Sequence, residues 1–301
     1  MSPRTRRPFA SRRSSRVSDL AKRRLKTLIK ILVSAGAMII VFRAIDWDQT
    51  RNILVAAHPG YLFMAIVLFV FSKVSSAFRL NVYFRNIGLV LSEWENVKLA
   101  WLGMFYNLFL PGGIGGDGYK VYLLHKRSGI SARLLAAGAL VDRLSGMIAL
   151  GALACVGFFF LDLKQVPVWL NYLILMAGLL AFPVFYGLKV LIFKSFTKGF
   201  LITSLYSCLT QGLQVICAYF LLLSLGVTDQ YLEYQVLFLV SSVVAVLPFT
   251  IGGVGARELT FILGHEFLMI DKNTAVAFSL MFFLITLFVS VFGAWVPAEK
   301  K

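Results

Sequence analysis

Acid is scarce in this chain. Fourteen Asp and Glu stand against thirty Lys and Arg, and charged residues of both signs make up only 15% of 301 positions. A soluble domain carries roughly 25%, so there is too little polar surface here to cover a water-soluble body of this length. Cysteine is equally thin. Cys155, Cys208 and Cys217 sit in apolar stretches with no C-x-x-C pair, which excludes a disulfide framework and a thiolate metal site. His58, His125 and His265 are dispersed, and His265-Glu266 opens like a zinc-protease motif but has Met269 where the second His belongs. The glycine runs lack the Gly-Lys-Ser/Thr ending of a phosphate-binding loop, and no G-x-S-x-G elbow occurs. No nucleotide-holding soluble domain is evident, which excludes an ATP-driven pump within this chain, and no cofactor is expected. The first apolar run follows a long basic arm and lacks an A-x-A cleavage pattern, so it reads as an uncleaved anchor.

What is present is apolar: 59% of the chain is hydrophobic. That excludes disorder and points to an integral membrane protein. The charge is lopsided, because residues 1–30 hold eleven basic residues against Asp19 alone. Beside a membrane helix, such an arm reads as held in the cytoplasm and drawn to anionic headgroups, rather than as a nucleic-acid binder. The expected organisation is a disordered basic arm over 1–24 and one transmembrane domain over 25–298.

A helix needs about 20 residues to cross a bilayer. Full crossings are expected over Leu28–Ala44, Tyr61–Leu80, Leu134–Leu161, Val166–Leu188, Phe200–Leu225 and Thr274–Val296. Two apolar segments are too short, Val97–Leu110 and Tyr234–Leu247, and each stops at a Pro/Gly run. Those runs align without a gap: Leu110-Pro111-Gly112-Gly113-Ile114-Gly115-Gly116-Asp117-Gly118-Tyr119-Lys120 on Leu247-Pro248-Phe249-Thr250-Ile251-Gly252-Gly253-Val254-Gly255-Ala256-Arg257. Both read L-P-x-x-I-G-G-x-G-x-basic, and paired interrupted segments in two halves mark a transporter site.

Charge placement selects the topology. If each short segment enters the bilayer and returns to its own side, twelve basic residues beyond the arm, Arg79, Lys120 and Lys189 among them, fall on the cytoplasmic face. Only Arg43, Arg51, Lys164 and Lys272 then fall outside. Full crossings would violate the positive-inside rule. The expected fold is therefore all-α and polytopic, with about six transmembrane helices, two re-entrant helical hairpins related as an inverted repeat, and both termini in the cytoplasm.

The broken tips are the candidate site. Pro111 and Pro248 end the incoming half-helices, while Gly112, Gly113, Gly115, Gly116, Gly252, Gly253 and Gly255 permit the break and close approach of a ligand. New helices begin near Tyr119 and Glu258, offering free N–H groups to an anion. Lys120 and Arg257 stand at those starts. Asp117 and Glu258 either line the site or cap the same N-termini. Asp142 and Arg143 interrupt a span, and neighbours on a helix point about 100° apart. They should therefore take different partners: Arg143 the cavity of Lys120, or both of them structural ion pairs. Lys73 and Arg79 read as snorkelling, with Arg79 also placed to meet a phosphate. Asn107, Gln211 and Gln214 read as interhelical glue.

These residues carry a resemblance. Leu110–Asp117 with Lys120, then Asp142-Arg143, then Gly252–Glu258, resemble the flippase-like transmembrane family of the lysylphosphatidylglycerol synthase membrane domain and its stand-alone relatives, over about residues 25–298. The resemblance implies two re-entrant elements and translocation of a phospholipid or other lipid-linked anionic substrate, with a lipid-synthesising enzyme as a possible partner. The synthase's aminoacyl-transferring soluble domain is not among these residues, so lysylation is not expected. The family's first motif commonly ends in Arg, whereas Lys120 keeps the charge without the two-pronged fork. The rival expectations are a membrane enzyme using Asp117, Asp142 or Glu258 as acid or base on a lipid phosphate or prenyl-linked sugar, and a scaffold recruiting a partner through the arm.

Overall fold

The computed structural model of the chain describes residues 39, 43, 46–109, 115–246 and 255–296. Among these are ten α-helices and no strand: α1 (Trp47–Val55), α2 (Pro59–Arg85), α3 (Glu93–Phe109), α4 (Gly115–Ser128), α5 (Ala132–Phe159), α6 (Val168–Ile192), α7 (Phe200–Ser224), α8 (Tyr231–Val246), α9 (Ala256–Leu268) and α10 (Lys272–Val291). Local chemistry sets several starts. Asp46 caps α1 by accepting from the N–H groups of Asp48 and Gln49, Pro59 opens α2, and Asp271 caps α10 through Thr274 N–H. Gly255 precedes α9 at φ +82°, a left-handed turn that a side chain would strain.

Five helices, α2, α5, α6, α7 and α10 with its 3₁₀ extension, are long and apolar enough to cross a membrane. The expected crossing at Leu28–Ala44 lies outside the described residues but for two positions. The short helix α1 has no counterpart in the sequence reading. It docks on α10, where Asn273 accepts from Asp46 N–H at 3.0 Å and donates to Gln49. The outer surface is apolar: Trp169, Leu173, Met176, Leu179, Leu180 and Val184 of α6 are all exposed, the pattern of a surface that meets lipid rather than water.

The helices define two ends of the bundle. At one, Arg85 pairs with Glu93, Arg127 with Glu95 at 2.9 Å, and Asn86 donates to the Lys198 carbonyl. At the other, His58 N–H bonds the Ser224 carbonyl, and Gln230 bonds the Met269 carbonyl. The outer ends of α3 and α4 thus lie together at the first end, and those of α8 and α9 at the opposite end. At ~1.5 Å per residue these four helices run ~20–26 Å, short of the ~30 Å hydrocarbon core. Two helical hairpins therefore enter the bundle from opposite ends.

Packing holds each hairpin in place. Phe238, Phe261, Phe278 and Phe282 interlock edge to face across α8, α9 and α10, and Phe282 meets Phe69 of α2 at 5.6 Å between centroids. Leu124 of α4 is buried with Leu80, Phe84, Leu89, Leu91 and Leu135 at the first end. Inside the first hairpin, Gly116 abuts the Gly103 backbone so closely that a Cβ there would overlap the Gly103 carbonyl. The long helices α2 and α7 run antiparallel, joined by Ser75, Thr210 and Ser207, small polar contacts of the kind that tie membrane helices together.

Candidate functional site

A cavity of about 290 Å³ lies at the inner ends of both hairpins. Asn107, Asp117 and Lys120 reach it from the first hairpin and Val246 from the second. Lys73, Arg79, Asp142, Arg143, Gly146, Thr210, Gln211 and Gln214 come from α2, α5 and α7. Lys73 sits fifteen residues into the 27-residue α2, near the middle of the span.

The charges are paired across elements. Arg79 Nε meets Asp142 Oδ1 at 2.7 Å, with Nη1 donating to Ser207 at 3.1 Å. Asp117 is shared: Lys120 Nζ reaches one oxygen at 2.7 Å, and the Arg143 guanidinium donates to the other. Asp142 and Arg143 do take different partners, as their helical offset requires. Gly146 leaves room for the Arg79 guanidinium, whose nitrogens lie 3.4 Å from where a Cβ would stand. Lys73 has an aromatic contact instead, its Nζ standing 4.5 Å over the Phe69 ring.

Several expectations are corrected. Arg79 does not snorkel: it is 3% exposed and held by Asp142. Lys189, expected only at the cytoplasmic face, is buried in the bundle, whereas Lys120 reaches the cavity as expected. Charge counting assigns a residue to a side of the membrane but is blind to depth. Lys189, fully buried, has Tyr83, Phe185 and Phe200 around its ammonium group. Arg257 does not line the cavity. It donates to Ser242 at 2.9 Å and stacks on Phe238 and Phe282. Nor are the first N–H groups of both new helices free. Gly116 N–H bonds Asn107 at 2.8 Å, and Gly255 N–H bonds Glu258, which also accepts from Ser279. Cationic side chains, more than helix ends, face the cavity.

Asp117 therefore joins the cation cluster, while Glu258 acts as a cap. Asn107 and Gln211 are glue, Gln211 donating to the Gly146 carbonyl at 3.1 Å, and both also line the cavity. Gly115 opens α4. Pro111, Gly112, Gly113, Pro248, Gly252 and Gly253 lie outside the described residues. Sequence reasoning undervalued Lys73, Gly103, Gly146 and Thr210. The signal for Lys73 was its position deep in an apolar run. Among the described residues no group of three or more His, Cys, Asp or Glu side chains gathers to hold a metal.

An all-helical bundle with a lipid-facing apolar surface defines a polytopic membrane protein. The chain belongs to the family of the lysylphosphatidylglycerol synthase TM region, which matches residues 27–197 and 192–293. It is also similar to the UPF0104 membrane protein PH1989 of Pyrococcus horikoshii, 22% identical over 324 aligned positions that cover 91% of this chain and 94% of that one.

Proposed function

We propose that the protein moves a phospholipid or other lipid-linked anionic substrate between leaflets without altering it chemically. The observation carrying this reading is the cation-rich cavity at the meeting point of two hairpins that enter from opposite ends. In this reading both hairpins are re-entrant in a cytoplasmic membrane, and rocking of one half against the other opens the cavity to each leaflet in turn. The cavity is sized for a headgroup, being at the small end of ligand pockets, about 300–1,000 Å³. Acyl chains would stay in lipid.

The sidedness follows from charge. Arg85, Lys98, Lys126, Arg127, Arg133, Lys194 and Lys198 cluster toward the end where α3 and α4 open, whereas Asp46, Asp48, Asp162, Asp229, Glu233, Glu266 and Asp271 gather toward the other. The basic end is assigned to the cytoplasm, and with it both termini and the arm of residues 1–24. Reconstituted vesicles carrying a fluorescent anionic phospholipid test the proposal. Wild-type protein should exchange the probe between leaflets, and Arg143→Gln should slow exchange at least tenfold while the protein stays folded. Exchange no faster than in protein-free vesicles would end this reading.

A further inference from the structure

We infer that the cavity is built for a phosphate monoester carrying two negative charges, in preference to a singly charged phosphodiester or a zwitterionic headgroup. The inference rests on the transport reading above and names its substrate class. Four cations line the cavity, Lys73, Arg79, Lys120 and Arg143, against two carboxylates, Asp117 and Asp142. Asp142 is taken by Arg79, and Asp117 is divided between Lys120 and Arg143. Two positive charges remain: one within the Asp117 cluster and one on Lys73, whose ammonium group rests on a ring rather than on an acid.

Among the described residues no other acid is positioned to cancel them. Glu258 accepts from Gly255 N–H and Ser279 and stands next to Arg257 in the chain, so that pair offsets itself. The remaining described acids lie at the ends of the bundle. The segments 110–114 and 247–254 contain no charged residue, and residues 20–45 contain no acid. Outside the described residues the acids are Asp19 and Glu299 alone. Uncompensated charge at mid-membrane is costly and marks a ligand path. A dianion brings the lining to neutrality, a monoanion leaves one charge over, and a cationic headgroup is repelled.

The test is a binding measurement, independent of transport. The purified full-length chain in neutral detergent is titrated with dihexanoyl phosphatidic acid, a monoester, and with dihexanoyl phosphatidylglycerol, a diester. At pH 7.5 the monoester should bind at least tenfold more tightly. That ratio should fall toward one near pH 5, because the second proton of a phosphate monoester leaves at a pKa of about 6. The diester at each pH corrects for titration of the six cavity groups. Lys73→Met should erase most of the preference and Lys73→Arg should keep it. A wild-type ratio within twofold at pH 7.5, or one unchanged at pH 5, overturns the inference without needing any variant. Glycerol 3-phosphate separates the sources: binding as tight as the lipid keeps the dianion site but removes the lipid from the proposed function. A monoester preference without leaflet exchange supports the site while ending the transport reading.

Discussion

The two hairpins share an eleven-position motif and use its basic residue in opposite ways. In the first, Lys120 joins Asp117 and Arg143 in an open, charged cluster on the cavity. In the second, Arg257 is enclosed by serines and phenylalanines, and the acid beside it caps its own helix. Prolines, glycines and apolar spacing are common to both in sequence. Where the cation ends up depends on neighbours supplied by other helices: α5 brings Arg143 to the first hairpin, whereas α10 brings Phe282 and Ser279 to the second. A duplicated motif therefore produces one cavity-facing element and one anchored element.

That asymmetry is open to direct attack. Asp117→Asn leaves two cations facing each other with no carboxylate, and should lower stability by about 3 kcal/mol, the low end for a broken buried pair because the acid keeps some exposure. Glu258→Gln, the counterpart change, keeps an acceptor oxygen and should cost about 1 kcal/mol. Unfolding in mixed detergent and dodecyl sulfate measures both, and equal losses would erase the distinction. Gly116→Ala forces a Cβ onto the Gly103 backbone and should cost about 2 kcal/mol by the same titration. Gly118→Ala meets open space and should be neutral or stabilise by up to about 1 kcal/mol. Replacing Ser241 and Ser242 together by Ala strips two hydrogen bonds from Arg257, for about 1 kcal/mol in a membrane setting.

The smallest effect separates the hairpin mouths. Arg127 and Ser92 hydrogen-bond Glu95 and hold its carboxyl below the usual value. A depressed pKa contributes stability that is present above the unfolded carboxylate range and is lost as pH falls through the folded value. Acidifying from pH 6 to pH 3 should therefore loosen the mouth of the first hairpin. The pair is solvent-screened, so the change is no more than about 0.5 kcal/mol. The mouth of the second is joined by Gln230 donating to the Met269 carbonyl and Tyr234 to the Asp271 carbonyl, and those bonds are indifferent to this range. Hydrogen exchange at Ser92–Asn96 and Tyr231–Gln235 across that pH range makes the comparison.

Much of this architecture was legible in order. The apolar runs mark seven of the ten helices to within a few residues, the helix starts expected near Tyr119 and Glu258 mark α4 and α9, and the two shortened runs mark the hairpins. The charge ledger anticipates that the hairpins open at opposite ends. The helical offset of Asp142 and Arg143 anticipates that they part company. The depth of Lys189 and the partner of Arg79 were not legible, because a lysine in the last turn of a helix looks the same in sequence whether it meets headgroups or the ring of Tyr83. Helix α1 is too short and too polar to announce itself; its place depends on Asn273, more than two hundred residues away.

Composition and spacing by themselves determined a membrane-embedded, all-helical chain with two glycine-interrupted elements, because apolar length and backbone conformation are local properties. Only the tertiary structure decided which cations are neutralised and which are left facing a cavity. An ion pair such as Arg79–Asp142 joins residues 63 positions apart, and low dielectric makes each such pairing count.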